Sequence, residues 1–174
     1  FQVVSIATTT GFLTSNYSNW PLFVPILLLF TAFIGACAGS TGGGIKVIRT
    51  LVLAKQSAGE ITKLIHPNAV ISIKLGKKAV SSRVAESVWG FFSIYVIVFI
   101  ILFMFLLAQG NDFITSFSAV GATLNNLGPG LGDVSNDYQS LNDYSKIGLS
   151  IAMILGRLEI FTLLVLFTPA FWKK

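Results

Sequence analysis

Long apolar segments separated by polar ones run along the whole chain. Between Ser87 and Asn111 there are 25 consecutive residues without a charge, most of them apolar. As an α-helix this stretch is about 37 Å long, which exceeds the roughly 30 Å of hydrocarbon in a bilayer. The pattern therefore predicts a membrane-spanning helix over about Ser81 to Leu107.

Two further segments are apolar enough to span a membrane, and both are interrupted. The first begins at about Pro21, is broken over residues 35–44 by a glycine-rich run, and resumes as "IKVIRTLVLAKQSA". The last extends from about Tyr144 to Trp172 and runs in the same direction. Three spanning helical elements predict an all-α membrane protein.

Two shorter apolar segments, residues 1–12 and 111–132, do not fit as spans. In the second, Asp112 is a suitable N-cap, and "FITSFSAVGATL" gives about three helical turns, too few to cross a membrane. The "NNLGPGLG" that follows contains Pro129 and three glycines, which cannot continue a helix. We expect a half-helix that enters the membrane and returns as an extended strand, buried within protein or lining a water-filled path.

The two short segments are related by an internal repeat. When Gly11 of "TTTGF" is placed over Gly128 of "NNLGPG", an offset of 117 residues, Gly39 falls on Gly156. Both copies then have the order short helix, Thr- or Asn-rich strand, glycine and interrupted long helix. This order predicts repeats of outer helix, pore helix, filter strand and inner helix, as in a K⁺ channel pore. The first copy lacks its outer helix, so we expect the chain to be a fragment of a longer protein.

The repeat divides the chain into three parts. Residues 1–58 would be the end of one pore repeat, with its filter strand and broken inner helix, and residues 81–174 would be a complete repeat. Residues 59–80 would form a cytoplasmic loop or a hairpin, in which "HPNA" joins "ITKLI" to "VISIKL", because both of these stretches alternate apolar and polar residues.

Composition and charge support the membrane assignment and orient the chain. Hydrophobic residues make up 53% of the sequence and charged residues 11%, against about 25% charged in soluble domains. Basic residues keep loops cytoplasmic, so loop 46–86 and the C-terminus are predicted inside and the Asp-bearing loop 108–146 outside. The net charge of +5 therefore reflects topology, and we expect no nucleic-acid binding. The basic residues of the inner loop are Lys46, Arg49, Lys55, Lys63, Lys74, Lys77, Lys78 and Arg83.

The glycine-rich run "GACAGSTGGGIK" does not fit a phosphate-binding loop. Gly39 and Gly44 have the required spacing, but Ile45 occupies the lysine position and Val47 replaces the hydroxyl that would hold magnesium. Adjacent glycines make a helix costly by about 1 kcal/mol each relative to Ala, which favours a mobile break in the span. Close helix packing through small residues is the alternative.

A half-helix followed by Thr, Asn and Gly suits a cation. Backbone carbonyls replace the hydration shell of the ion, Gly permits the required backbone angles, and the helix C-terminus adds partial negative charge. An extracellular loop packed on the bundle and a loop in a transporter cavity stay open as alternatives. We expect no enzyme, because the spans contain no histidine and no paired carboxylates that could activate a hydroxyl.

Arg157 lies within an apolar span, where a charge costs a few kcal/mol unless it faces water or a partner. Glu159 is two positions away and points to another side of the helix. One interpretation is a structural ion pair with another repeat. The other places Arg157 beneath the filter, where it binds loop carbonyls and repels cations while the pore is closed.

Five stretches of the sequence are distinctive: "ATTTGF", "GACAGSTGGGIKVIR", "HPNAV", "TLNNLGPGLG" and "GRLEIFTLLVLFTPAFW". Together they resemble the Trk/Ktr/HKT superfamily of potassium transport proteins, and within it the bacterial TrkH type, and the similarity covers essentially the whole chain. The resemblance implies four repeats around one pore, of which this chain would hold the end of the third and all of the fourth. It also implies that K⁺ is the transported ion and that the chain needs no organic cofactor. It further implies a protein of the bacterial inner membrane that contacts membrane lipid, forms a homodimer and binds a cytoplasmic nucleotide-binding partner of the TrkA type.

The family's site residues carry over by position. The resemblance implies a K⁺ filter and an intramembrane gating loop beneath it, with Arg157 beside the loop. Only one glycine per filter strand is common to both copies, so we expect less stringent discrimination against Na⁺ than in potassium channels. Ion-coupled transport by the same architecture and a non-conducting structural subunit are the alternatives. The filter residues are Thr8, Thr9, Thr10, Gly11, Asn125, Asn126, Leu127 and Gly128, and the loop residues are Gly39, Gly42, Gly43 and Gly44.

Overall fold

The chain is mostly helical. The computed structural model describes residues 1–21, 23–35, 43–69, 73–76, 78–158, 160, 165 and 169–172. The elements of these residues, in chain order, are α1 (Gln2–Ala7), a 3-10 turn (Tyr17–Asn19), α2 (Phe23–Ile34), α3 (Val47–Ile65), β1 (Lys74–Leu75), β2 (Lys78–Ala79), α4 (Ser82–Ala108), α5 (Phe113–Leu124), a second 3-10 turn (Gly132–Val134), α6 (Asp143–Arg157) and α7 (Pro169–Trp172).

Helix α4 confirms the span predicted over about Ser81 to Leu107. The Ser81 hydroxyl caps it by accepting a hydrogen bond from the Val84 N–H at 3.4 Å. Its 27 residues rise about 40 Å. Among the described residues it is the one helix that is long and apolar enough to cross a membrane. Most of its apolar surface is exposed in this chain, as expected for a helix that faces lipid or neighbouring helices.

The other two predicted spans are described only in part. Helix α2 has 12 residues and ends at Ile34, before Gly35 with φ +69°. Helix α6 has 15 residues and ends at Arg157, close to the predicted break. The first span resumes after its break as α3, which begins at Val47. Residues 36–42 and most of 159–168 lie outside the described part of the chain, so the connection from α2 to α3 and the continuation of the last span stay predictions.

The predicted half-helix is present as α5, which begins and ends where the sequence indicated. The Asp112 carboxylate accepts hydrogen bonds from the N–H groups of Ile114 and Thr115, at 3.1 and 3.3 Å. Its 12 residues give about 18 Å, too short to span a bilayer. Every residue from Thr115 to Leu124 except Phe117 is buried, so α5 lies inside the bundle.

The hairpin predicted between "ITKLI" and "VISIKL" is wrong for its first strand. Residues 61–65 continue α3, which also runs through the boundary predicted at residue 58. Helix α3 ends at Ile65, because the next residue, His66, precedes Pro67 and the residue before a proline is disfavoured in the helical region. The antiparallel pair observed is shorter and lies later, with Lys74 opposite Ala79 and Gly76 at φ +60° in the turn.

Helix α5 is shared by two hydrophobic cores, and it joins the two halves of the chain. One core packs α5 against α4 and α6 and includes Tyr95, Leu106, Val120, Leu124, Leu149 and Ala152. The other packs α5 against α1 and α2 and includes Ile6, Tyr17, Leu28, Leu29, Ala122 and Leu127. Phe33 of α2 contacts both cores, with ring centroids 5.7 Å from Phe99 and 6.5 Å from Phe117.

Candidate functional site

The segments that follow α1 and α5 leave their helices in the same way. The two helices end at Ala7 and Leu124, which are 117 positions apart. The next residues have nearly identical backbone angles: Thr8 has φ −84° and ψ 0°, and Asn125 has φ −88° and ψ −1°. The repeat inferred from spacing is therefore present in the local structure.

The agreement extends through the next three residues. Thr9 has φ +56° and its counterpart Asn126 φ +53°, while Gly11 has φ +81° and its counterpart Gly128 φ +100°. A positive φ is rare for a β-branched residue such as Thr, so its occurrence in this register indicates a backbone imposed by the surrounding structure. Neither segment forms the regular extended strand that we predicted.

Hydrogen bonds to the preceding helix explain this difference. The N–H of Thr9 donates to the Ile6 carbonyl at 3.1 Å, and the N–H of Asn126 donates to Thr123 at the same distance. These bonds keep the first residues of each segment in a helical turn. The residues with positive φ then end the helix. When residues with positive φ alternate with residues of other conformations, successive carbonyl groups point in directions that a regular extended strand does not allow.

The two segments contact each other. The Cα of Gly11 faces the Leu127 carbonyl oxygen so closely that an added Cβ would overlap it, and that Cβ would also lie 3.3 Å from the Pro129 ring. Gly128 has no atom within 4 Å of the equivalent position. Glycine is therefore required at 11 by both backbone angle and space, and at 128 by backbone angle alone.

The described part of the predicted gating loop lies against both segments. The Gly43 N–H donates to the Thr9 hydroxyl at 3.3 Å, and the Gly43 Cα faces the Asn125 carbonyl without room for a side chain. Gly44, at φ +80°, is packed against the Ala32 carbonyl. The structure thus brings two predicted loop residues to two predicted filter residues. Gly39 and Gly42 lie outside the described residues.

Helix α6 reaches the second segment at its C-terminal end. A Cβ on Gly156 would overlap the Leu124 carbonyl oxygen and lie 2.8 Å from the Asn126 amide nitrogen. Arg157 follows directly as the last residue of α6, with an exposed side chain. Its position at a helix C-terminus is favourable for a cation, because the partial charge there is negative.

The backbone after α5 is held to the half-helix by buried hydroxyls. The Ser118 hydroxyl accepts from the Leu131 N–H at 2.8 Å and lies 3.1 Å from the Leu131 carbonyl oxygen, to which it donates. The Thr115 hydroxyl accepts from the Asp133 N–H at 3.1 Å. These bonds return the chain alongside α5, so residues 125–130 form a loop with both ends fixed.

Three tyrosine hydroxyls donate to this loop, and sequence reasoning missed all of them. Their side chains come from the first 3-10 turn, from α4 and from the segment before α6. The bonds are Tyr17 to the Gly130 carbonyl (3.1 Å), Tyr95 to the Asn125 side-chain oxygen (2.9 Å) and Tyr138 to the Gly128 carbonyl (2.7 Å). Only Tyr95 gave a sequence signal, because a tyrosine in an apolar segment needs a partner for its hydroxyl; Tyr17 and Tyr138 lie in polar stretches of the sequence.

The two tyrosines outside the helices stay protonated at neutral pH. Burial raises the pKa of Tyr17 to about 12, and burial, with a smaller Coulombic contribution from Tyr17, raises the pKa of Tyr138. Both hydroxyls therefore remain donors across the physiological pH range. The Gly128 carbonyl, which we predicted to serve an ion, accordingly also accepts a hydrogen bond from the protein; its second lone pair is left for another donor or a cation.

Comparison with known proteins gives the family. The family model TrkH, described as "Cation transport protein", matches residues 1–174, the whole chain. The chain belongs to the TrkH family.

Individual TrkH relatives agree along the full chain. The Trk system potassium uptake proteins TrkH of Vibrio parahaemolyticus and of Escherichia coli are 57% and 58% identical to it over 174 residues. These matches cover 100% of this chain and 36% of each relative, so the chain spans about a third of the length of the curated relatives it matches.

A solved TrkH structure has the same fold. The crystal structure of the potassium transporter TrkH from Vibrio parahaemolyticus matches with a TM-score of 0.90 at 56% identity, and the match covers 99% of this chain and 37% of that one. The resemblance inferred from the motifs is confirmed. The roles of single residues in the filter and the gate stay predictions for this TrkH family member.

Proposed function

We propose that this chain supplies two re-entrant units of a K⁺-conducting pore and belongs to a longer membrane protein with four such repeats around one pathway. The observation that carries the proposal is the matched backbone of residues 8–11 and 125–128, 117 positions apart and in contact through Gly11 and Leu127. A packed surface loop gives no reason for the same left-handed residues to recur in the same register.

The chemistry of these segments suits a dehydrated cation. Carbonyl oxygens that follow a half-helix carry partial negative charge, to which the C-terminal end of the helix dipole adds. The Thr8 and Thr10 hydroxyls, 2.8 Å apart and both exposed, provide further oxygen ligands. The name of each relative quoted above specifies potassium uptake, and we therefore propose K⁺ as the ion, with no catalytic activity and no organic cofactor on this chain.

The gate would be the glycine-rich run at residues 35–44, of which residues 35, 43 and 44 are described. Gly43 and Gly44 contact Asn125, and the Gly43 N–H binds Thr9, so movement of this loop changes the contacts of both filter segments. Arg157 would bind loop carbonyls and repel cations in the closed state, as proposed from the sequence. Gly39 and Gly42 belong to the proposed gate by sequence position.

The remaining features of the proposal come from charge and from the family. Loop 46–86 and the C-terminus would be cytoplasmic and loop 108–146 external in a bacterial inner membrane. The phrase "Trk system" in the relatives' names indicates more than one component. We propose a homodimer and a cytoplasmic nucleotide-binding subunit of the TrkA type as the partners.

Ion flux into liposomes that contain the full-length protein tests the proposal. We expect K⁺ flux that persists without a proton or Na⁺ gradient, and a reduced K⁺/Na⁺ flux ratio or lost flux for Gly128→Ser. Gly110→Ser is the matched control, because Gly110 also has a positive φ (+86°) and open space but lies far from the filter in sequence, in the loop after α4. Equal flux ratios in the wild type, Gly128→Ser and Gly11→Ser would refute the filter assignment.

A further inference from the structure

The loop 125–130 is held by side chains from three separate parts of the fold. Tyr17, Tyr95 and Tyr138, which we call the tyrosine clamp, direct their hydroxyls to Gly130, Asn125 and Gly128. Tyr17 belongs to the first repeat, Tyr95 to helix α4, and Tyr138 to the loop predicted to be external. No single turn or local motif accounts for this convergence.

These hydroxyls are costly to bury and would be replaced by phenylalanine if only volume mattered. Tyr17 is 2% exposed and Tyr95 is 4% exposed, so an unpaired hydroxyl at either position would lose its hydration without compensation. The ring of Tyr95 also packs at 6.1 Å from Phe91 and at 6.4 Å from Phe33, which fixes the direction of its hydroxyl. The ring of Tyr95 is therefore held in one orientation by its aromatic neighbours.

The first filter segment is held differently. Its side-chain bonds are mostly to neighbouring residues: the Thr8 hydroxyl donates to the Val4 carbonyl at 2.7 Å, and Ser5 donates to the Phe12 carbonyl at 2.7 Å. One bond comes from further along the chain, from the Gly43 N–H to the Thr9 hydroxyl at 3.3 Å. The two segments share a backbone conformation, but among the described residues only the second receives hydrogen bonds from tyrosine hydroxyls.

We propose that the tyrosine clamp sets the ion selectivity of the pore by fixing the carbonyl and amide oxygens of residues 125–130. This inference rests on the proposed function. A carbonyl that accepts a phenol hydrogen bond has its direction fixed, and its second lone pair then presents one distance to an ion. A carbonyl free to move can close around the smaller Na⁺. Tyr138, which binds Gly128, and Tyr95, which holds Asn125, are therefore positioning residues for selectivity.

The test is the K⁺/Na⁺ flux ratio of the full-length protein in liposomes, measured together with its melting temperature. Tyr138→Phe and Tyr95→Phe remove one hydroxyl each and keep the ring. Tyr144→Phe is the matched control, because that side chain is 71% exposed at the start of α6. We expect the ratio to fall about threefold to tenfold in Tyr138→Phe, the equivalent of one ordinary hydrogen bond, and to stay unchanged in Tyr144→Phe.

The outcomes separate the clamp from a structural role. An unchanged ratio in both Tyr138→Phe and Tyr95→Phe, whatever their melting temperatures, overturns the inference and leaves the tyrosines as core residues. If either variant is too unstable to measure, the K⁺/Na⁺ flux ratio of Tyr17→Phe, which removes the hydrogen bond to the Gly130 carbonyl, is measured in its place. Absence of K⁺ flux in the wild type would instead refute the proposed function, so the two failures are distinguishable.

Discussion

At the scale of single residues, equivalent positions in the two copies have unequal surroundings. Gly11 and Gly128 share a left-handed backbone, but Gly11 is pressed against Leu127 and Pro129 while Gly128 faces open space. The equivalence was predictable from the spacing of the glycines. The inequality was not, because it depends on a contact between residues that are more than a hundred positions apart.

This inequality predicts different stability losses on substitution by alanine. Gly128→Ala should cost about 1 to 2 kcal/mol, the strain of a left-handed residue with a Cβ. Gly11→Ala adds a clash with a backbone oxygen that cannot rotate away, and should cost about 3 kcal/mol or more. Thermal unfolding in detergent, with Gly110→Ala as the strain-only reference, measures both. A smaller loss at 11 than at 128 would contradict the contact described here.

Arg157 gives a second prediction at this scale. In the proposed gate, Arg157→Ala would remove both the repulsion of cations and the hydrogen bonds to the loop, so K⁺ flux should rise. Arg157→Lys keeps the charge but loses the planar guanidinium, which can donate to several carbonyls at once. The expected order of K⁺ flux is therefore Ala above Lys above Arg. A structural ion pair predicts the opposite behaviour: a melting temperature lowered by the loss of several kcal/mol and no gain of flux. Yield, melting temperature and flux of the purified variants decide between them.

The tyrosine contacts show where sequence reasoning ends at the residue scale. Tyr95 lies in an apolar segment, which indicates that its hydroxyl has a partner, but that partner is 30 residues away. Tyr17 lies in a polar segment, and its partner is 113 residues away. Periodicity and capping rules describe neighbours within about one helical turn. They therefore located the loop 125–130 and could not say what holds it.

At the scale of elements, the sequence predicted those whose boundaries are set locally. Helix α4 follows from its apolar length, and α5 from Asp112 at one end and the Gly- and Pro-containing run at the other. The hairpin was misplaced because alternation over five residues is a weak signal when a long helix precedes it. Residues 61–65 still extend α3, although three of the five are β-branched, because β-branching lowers helix propensity only slightly and Lys63 and Leu64 are good helix formers.

The glycine-rich loop gives the prediction at this scale. Deletion of Gly42 to Gly44 removes the hydrogen bond from Gly43 to Thr9 and the packing of Gly43 on Asn125. K⁺ flux should rise and depend less on the cytoplasmic partner, because the shortened loop cannot close the pathway. Flux is measured with and without the partner, and folding is checked by size-exclusion profile. A folded deletion variant that conducts less than the wild type would identify the loop as a packing element.

At the scale of the whole molecule, α5 holds the two halves together. It contributes to both hydrophobic cores, and the second of the two proposed filter segments follows its C-terminal end. A central half-helix with buried surface on all sides is the expected result of placing a short helix between longer ones. The sequence indicated a re-entrant segment. Only the structure shows that Phe33 of α2 contacts both α4 and α5.

The contact between Gly11 and Leu127 also constrains the order of events during synthesis. The first segment leaves the ribosome about 117 residues before its partner, which at roughly 5 to 20 residues per second is a delay of roughly 6 to 23 s. During this interval residues 8–11 are in the nascent chain without the surface that later covers Gly11. Their backbone groups then need water or another protein as a temporary partner. The contact between the two segments thus forms in a late, long-range docking step, and the first segment has to be accommodated until that step occurs.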